Sequence, residues 1–194
     1  MPLYLYVLIG SISIPLIYTL FVFDVIQKWR HFFISTSLVA CVFLTWDAVF
    51  TAYSVWGFNM DYCVGYKFFG MPIEEWLFFI MIPFVCVFTH LVLKQKLPNF
   101  KLQEDASKAL SFVLIFITLA VFLTNLDKLY TSINALILLI TLLVGAIFYP
   151  KELQRFYLSF LIIITPFFIV NGTLTGMFTD HPIVWYNDLE NLQI

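Results

Sequence analysis

Residues 72–93 read Pro72-Ile-Glu-Glu-Trp-Leu-Phe-Phe-Ile-Met-Ile-Pro-Phe-Val-Cys-Val-Phe-Thr-His-Leu-Val-Leu93. From Trp76 onward this stretch contains no Asp, Glu, Lys or Arg, and it approaches the roughly 20 residues of helix that cross a hydrocarbon core. Just ahead of it stand two adjacent carboxylates, Glu74 and Glu75. Charge at the mouth of a membrane helix is costly and asks for a reason.

Similar apolar runs lie on both sides. Six are expected to span: Leu3–Phe23, Phe32–Ser54, Trp76–Leu93, Ala109–Thr124, Ser132–Tyr149 and Phe156–Thr175. Of the 194 residues, 62% are hydrophobic and 11% charged, and mean hydropathy is +0.95. These values exclude a water-soluble domain and point to an all-α, polytopic membrane helix bundle forming one domain over residues 1–194. Aromatics make up 20%, including 23 Phe. That exceeds what a lipid-facing surface needs, so part of it is expected to line a pocket.

A net charge of −2 with scattered basic residues leaves no nucleic-acid footprint. Cys41, Cys63 and Cys86 have no CxxC spacing and read as buried free thiols. The first run has no basic flank before it, carries Asp24 at its end and shows no small-residue cleavage pattern, so it reads as a retained span. Pro15, Pro83 and Pro166 fall inside three runs, where each frees a carbonyl. The one distinctly polar linker is Lys94–Lys108.

Orientation follows from the cations. Lys28, Arg30, Lys94, Lys96, Lys101, Lys108, Lys151 and Arg155 fall on one side, against Lys67 and Lys128 on the other. By the positive-inside rule the richer side is cytoplasmic, which places the N-terminus, the carboxylates and the C-terminal tail outside.

A weak internal repeat runs through this frame. Asp47-Ala-Val-Phe-Thr51 precedes Trp56-Gly57-Phe58-Asn59, and Asn171-Gly-Thr-Leu-Thr175 precedes Trp185-Tyr186-Asn187. The expected organisation is a parallel three-helix pseudo-repeat: a first copy over about 1–93, a spacer helix over about 109–126 and a second copy from about 129. The second copy is incomplete at Ile194, so a seventh span with its own acidic opening is expected beyond it or from a partner.

Pro72 fits the first helical position, which makes Glu74 the third and half of a capping box. Neighbouring helical residues sit about 100° apart, so one carboxylate is expected to be functional and the other structural, with Glu75 preferred. Asp47 lies deep in the second span, where a charged Asp costs about 2.5–3.5 kcal/mol on the insertion scale. It is expected to face the interior with Phe50, Thr51 and Ser54, either as a polar staple between helices or as a functional acid. Asn171 reads as an interhelical hydrogen-bond donor raised in interest by its repeat relation to Asp47. An interfacial belt accounts for Trp56 and Trp185, whereas Trp46 and Trp76 each adjoin a carboxylate, which a belt does not predict. An aromatic face beside a proton donor can stabilise a transient cation. No His/Cys cluster has metal-ligand spacing, and no nucleotide or flavin fingerprint is present, so no cofactor or metal is expected. A transporter would use the same intramembrane acids and repeats.

Taken together, the Trp46-Asp47 helix, the Trp56–Asn59 loop, the Pro72-Ile73-Glu74-Glu75-Trp76 motif and the Val170-Asn171-Gly172 to Asn187 segment resemble the membrane-type lycopene cyclases, over nearly the whole chain. These are small carotenoid cyclases of the heterodimeric or fused kind, found in some bacteria, archaea and fungi. Their most specific element, Pro-x-Glu-Glu/Asp, occurs once in each half of the family and once here.

The resemblance implies a lyase-type isomerisation in carotenoid biosynthesis: acid-initiated, redox-neutral cyclisation of the ψ ends of lycopene to β-type rings. It implies Glu75, Glu74 and Asp47 as catalytic groups. The substrate-binding set becomes Trp46, Phe50, Trp56, Trp76, Phe79, Asn171, Trp185 and Asn187. The partners implied are a lipophilic carotenoid, the bilayer, and a second copy or a chain supplying the second Pro-x-Glu. A non-catalytic carotenoid- or isoprenoid-binding membrane protein or transporter is the alternative.

Overall fold

The computed structural model describes residues 1–21 and 29–190. Asp24, Lys28, the end of the first expected span at Phe23 and the expected seventh span lie outside the described residues. Six helices form the bundle: α1 (Leu3–Phe21), α2 (Trp29–Ala52), α3 (Ile73–Lys96), α4 (Glu104–Thr124), α5 (Leu129–Phe148) and α6 (Pro150–Leu174). All six are long and apolar enough to cross a bilayer. Within lipid, helices satisfy their own backbone polar groups, which is why apolar runs of this length adopt them. Leu38, Phe112, Phe116, Leu161 and Phe168 stand exposed on the helix flanks, as lipid-facing positions do. The chain is an integral membrane protein.

The helices outlast the apolar runs. α3 continues to Lys96 and α4 starts at Glu104, so the polar linker contracts to residues 97–103. Lys94 and Lys96 in the last turn of α3, and Glu104 and Asp105 in the first turn of α4, complement the helix dipoles and allow helix to run into charged sequence. α6 starts at Pro150 rather than Phe156, with the proline in its first turn. At the other extreme α2 stops at Ala52, because Ser54 adopts a left-handed φ of 56°. Ser54 therefore leaves the Asp47 face on which it was expected.

α1 packs along α3 and α4 along α5, while α3 also meets α2 and α6. The N-terminus, the 53–72 loop and the C-terminal segment gather at one end, where the Leu129 amide donates to Glu190 Oε2 at 3.0 Å. At the opposite end Lys94 Nζ reaches Glu152 at 2.8 Å and Arg155 donates to the Pro98 carbonyl at 2.8 Å. This is the grouping of loops expected from the distribution of cations.

Two short strands close the first end. β1 (Trp56–Phe58) pairs antiparallel with β4 (Val184–Tyr186), setting Trp56 opposite Tyr186, Gly57 opposite Trp185 and Phe58 opposite Val184. β2 (Lys67–Phe68) and β3 (Met71–Pro72) form a hairpin leading into α3. The chain leaves α6 through a Schellman closure in which Met177 N donates to Gly172 O and Gly176 N to Thr173 O. Gly176, at φ 98°, supplies the left-handed residue this motif needs. Beneath the strands Tyr4, Leu8, Leu174, Ile183 and Val184 form the buried core. All three cysteines are free, but Cys41 is exposed on α2 and the other two are half-buried, so the expectation of buried thiols is corrected.

Candidate active site

The geometry of the site is set by where α3 begins. Pro72, at φ −64° and ψ 152°, is the N-cap and not the first helical residue, so Glu74 becomes the second position and Glu75 the third. No capping box forms: Pro72 makes no side-chain cap, and Glu74 reaches out to accept the Val64 amide at 2.6 Å. Glu74 is fully buried and ties the 53–72 loop to the head of α3. Its Oε2 has no hydrogen-bond partner among the described residues.

Glu75, turned about 100° from Glu74 by helix geometry, faces a cavity of about 180 Å³. The Tyr4 hydroxyl donates to Glu75 Oε2. From α2, Asp47 faces the same cavity at 3% exposure. Trp56 Nε1 donates to its Oδ1 at 2.5 Å, and the Thr51 hydroxyl makes a longer contact of 3.5 Å to the same atom. Asp47 Oδ2 and Trp46 Nε1 are buried without hydrogen-bond partners among the described residues. The two carboxyl groups interact electrostatically, and among the described residues no Lys or Arg stands in the cavity wall.

The outer wall follows strand periodicity. Side chains alternate faces along a strand, so Trp56, Phe58, Val184 and Tyr186 line the cavity. Gly57 and Trp185 fall on the other face, with the Trp185 indole lying where a Cβ on Gly57 would be. Trp56 meets Tyr130 edge-on with centroids 5.3 Å apart, and Trp46 stacks on Phe43 at 5.6 Å. Burial, reinforced by Tyr130, Glu75 and Asp47, raises the Tyr186 phenol above its usual range. Burial, with the Glu74 and Glu75 charges adding to it, pushes the nearby Cys63 thiol up to about 12.

Of the expected site residues, Asp47, Glu75, Trp46, Trp56, Phe79 and Asn171 come together around this cavity. Phe50 stands behind the wall, packed against Trp46 and Trp56 with centroids 5.3 and 5.0 Å apart. Trp56 is more than a belt residue, since its indole N–H points inward to Asp47. Glu74, Trp76, Trp185 and Asn187 are not in the wall. Trp76 instead packs on Phe68 and donates to its carbonyl at 3.3 Å, and Asn187 N bonds the Val55 carbonyl at 2.8 Å.

Sequence reading missed Tyr4, Phe43, Tyr130, Asn134 and Tyr186, all of which line the cavity. Tyr4 shares a helical face with Leu8 and Ser11, the i, i+4, i+7 spacing that marks an inward stripe. The paired motifs also meet in space. Thr51 bonds back to the Asp47 carboxylate and Thr175 to the Asn171 carbonyl at 2.9 Å, and both polar residues reach the same cavity.

Two buried carboxyl groups in a cation-free aromatic cavity can give and take a proton and surround a transient positive charge with π faces. No curated protein and no solved structure matches the chain. The lycopene cyclase family, in contrast, matches residues 2–93 and 127–194, which cover most of the sequence. On that match the chain belongs to the lycopene cyclase family.

Proposed function

We propose that the protein cyclises the ψ end groups of lycopene to β-type rings, as an intramolecular lyase within the isomerases. The observation that supports this most directly is the pairing of Glu75 and Asp47 across one aromatic cavity without a cation. Two carboxyl groups in such a site hold a proton between them. Asp47 takes donors from Trp56 and Thr51 and is cast as the carboxylate; Glu75, held by Tyr4, is cast as the proton carrier.

In this scheme the Glu75 proton adds to the terminal double bond, generating a tertiary cation. The next double bond attacks that cation and closes the ring. Asp47 then removes a proton to set the ring double bond. One proton enters and one leaves, so no redox cofactor is required. Trp46, Trp56, Phe79 and Tyr186 offer π faces to the cation, and the β1–β4 cover keeps water away from it. Glu74 positions the loop rather than reacting. The substrate arrives from the bilayer, and by the positive-inside rule the site lies at the outer face.

Expression in a lycopene-accumulating host tests the reading. Cyclic carotenoid in the pigment extract is the expected result. Linear lycopene alone, from cells in which the protein is present in the membrane, would refute it and favour a binding or transport role.

A further inference from the structure

A second cavity, of about 110 Å³, lies beside the first between α3, α6 and α1. The two share Phe78 and Asn171 in their walls, so they adjoin at those side chains. Its wall is almost wholly apolar, with Cys86 and Ile163 at the far end. The Ser11 hydroxyl, on α1, is already spent on the Val7 carbonyl at 2.7 Å. Apart from Asn171, where it adjoins the first cavity, no side chain there selects a polar ligand. Phe78 and Cys86 are eight residues apart on one helix, which at 1.5 Å per residue makes the cavity about 12 Å long. Pro166 and Phe167, also in the wall, are exposed on the flank of α6, where lipid lies.

We propose that this second cavity is the polyene subsite, a side passage through which the linear chain lies between α3 and α6 while its end group sits against Glu75 and Asp47. The identity of the occupant rests on the cyclase reading. The occupant's chemistry fits independently: an unbroken hydrocarbon rod needs a long wall without unpaired polar groups. Asn171, on both cavities, marks the junction of conjugated chain and reacting end group. The far end of the chain leaves past Pro166 and Phe167 into the bilayer, so one end of the molecule is processed per docking.

Site-specific photo-crosslinking tests this. Phe167→trifluoromethyl-diazirinyl-phenylalanine is compared with the same replacement at Phe116, which is 66% exposed on α4 and lines neither cavity. Both proteins are placed in phospholipid nanodiscs containing lycopene, irradiated and analysed by mass spectrometry, with ring formation measured before irradiation. The expected result is at least tenfold more carotenoid adduct at position 167 than at 116. Equal carotenoid yields at both positions overturn the passage. If rings still form in that case, the cyclase reading survives it. Enriched adduct without any rings upholds the passage and overturns cyclisation. As a second variant, Cys86→Trp fills the far end and is expected to lower ring yield about tenfold at unchanged membrane level, while Phe116→Ala leaves it unchanged; equal yield in Cys86→Trp counts against the passage.

Discussion

Glu104 and Glu152 at one end of this bundle and Asp47, Glu74 and Glu75 at the other are treated in opposite ways. At the Lys-rich end Glu152 is half-exposed and holds Lys94 at 2.8 and 3.0 Å, and Glu104 holds Lys108 one turn away. At the other end Asp47, Glu74 and Glu75 are all buried, and their hydrogen bonds come from a tyrosine, a tryptophan, a threonine and a backbone amide. Exposed pairs are worth little to stability. Buried acids without counter-ions cost a great deal, which fits the proposed use of a proton, rather than a charge, at Glu75 and Asp47.

The contrast breaks most directly at Glu75. Glu75→Gln keeps size and a hydrogen-bonding oxygen but removes the transferable proton. Ring formation is expected to fall by about 10²–10⁴ in the pigment assay, with protein level unchanged; full activity would remove Glu75 from the chemistry.

Cys63, half-buried beside Glu74 and Glu75, reports on the same negative surroundings without touching the reaction. With its thiol pushed up to about 12, the reactive thiolate is scarce at pH 8, and maleimide labelling of the folded protein should be roughly a thousandfold slower than for an ordinary thiol of pKa about 8.5. The sign is fixed by the raised value: labelling keeps accelerating as pH rises past 9, and denaturation in SDS restores the ordinary profile. A folded-state rate that levels off near pH 9 would contradict the burial of this loop against Glu74.

Tyr4→Phe deletes only the hydroxyl that holds Glu75. Loss of one hydrogen bond to a charged or proton-sharing group, worth about 1.5–3 kcal/mol, predicts a tenfold or greater fall in turnover, with the cavity otherwise intact. Smallest of all, Glu152→Gln at the opposite end is expected to leave ring yield within about twofold, because an exposed ion pair contributes about 0–1 kcal/mol. A large loss there would mean that the two ends are not as different as their solvation implies.

The spans were legible because eighteen uncharged residues after Glu75 have only one stable form in lipid. Helix ends were less so, since hydropathy falls before the backbone hydrogen-bonding does, as at Lys94–Lys96 and Glu104. The carboxylates were legible as a cost, but the partner of Glu74 was not, because one residue of register at Pro72 replaces the capping box with the Val64 amide. Three residues of strand are too few to show the period-two alternation that puts Tyr186 in the wall and Trp185 outside it. Tyr4 hid among apolar neighbours at a helix start, where an interfacial tyrosine needs no explanation.

The meeting of Gly57 and Trp185 across the two strands has an evolutionary reading. Any side chain at 57 would overlap the indole at 185, so position 57 is not free to drift alone. Among related sequences a residue larger than glycine at position 57 should appear only where position 185 has lost its large ring. The cover over the cavity would then be inherited as a matched pair, one half from each end of the chain.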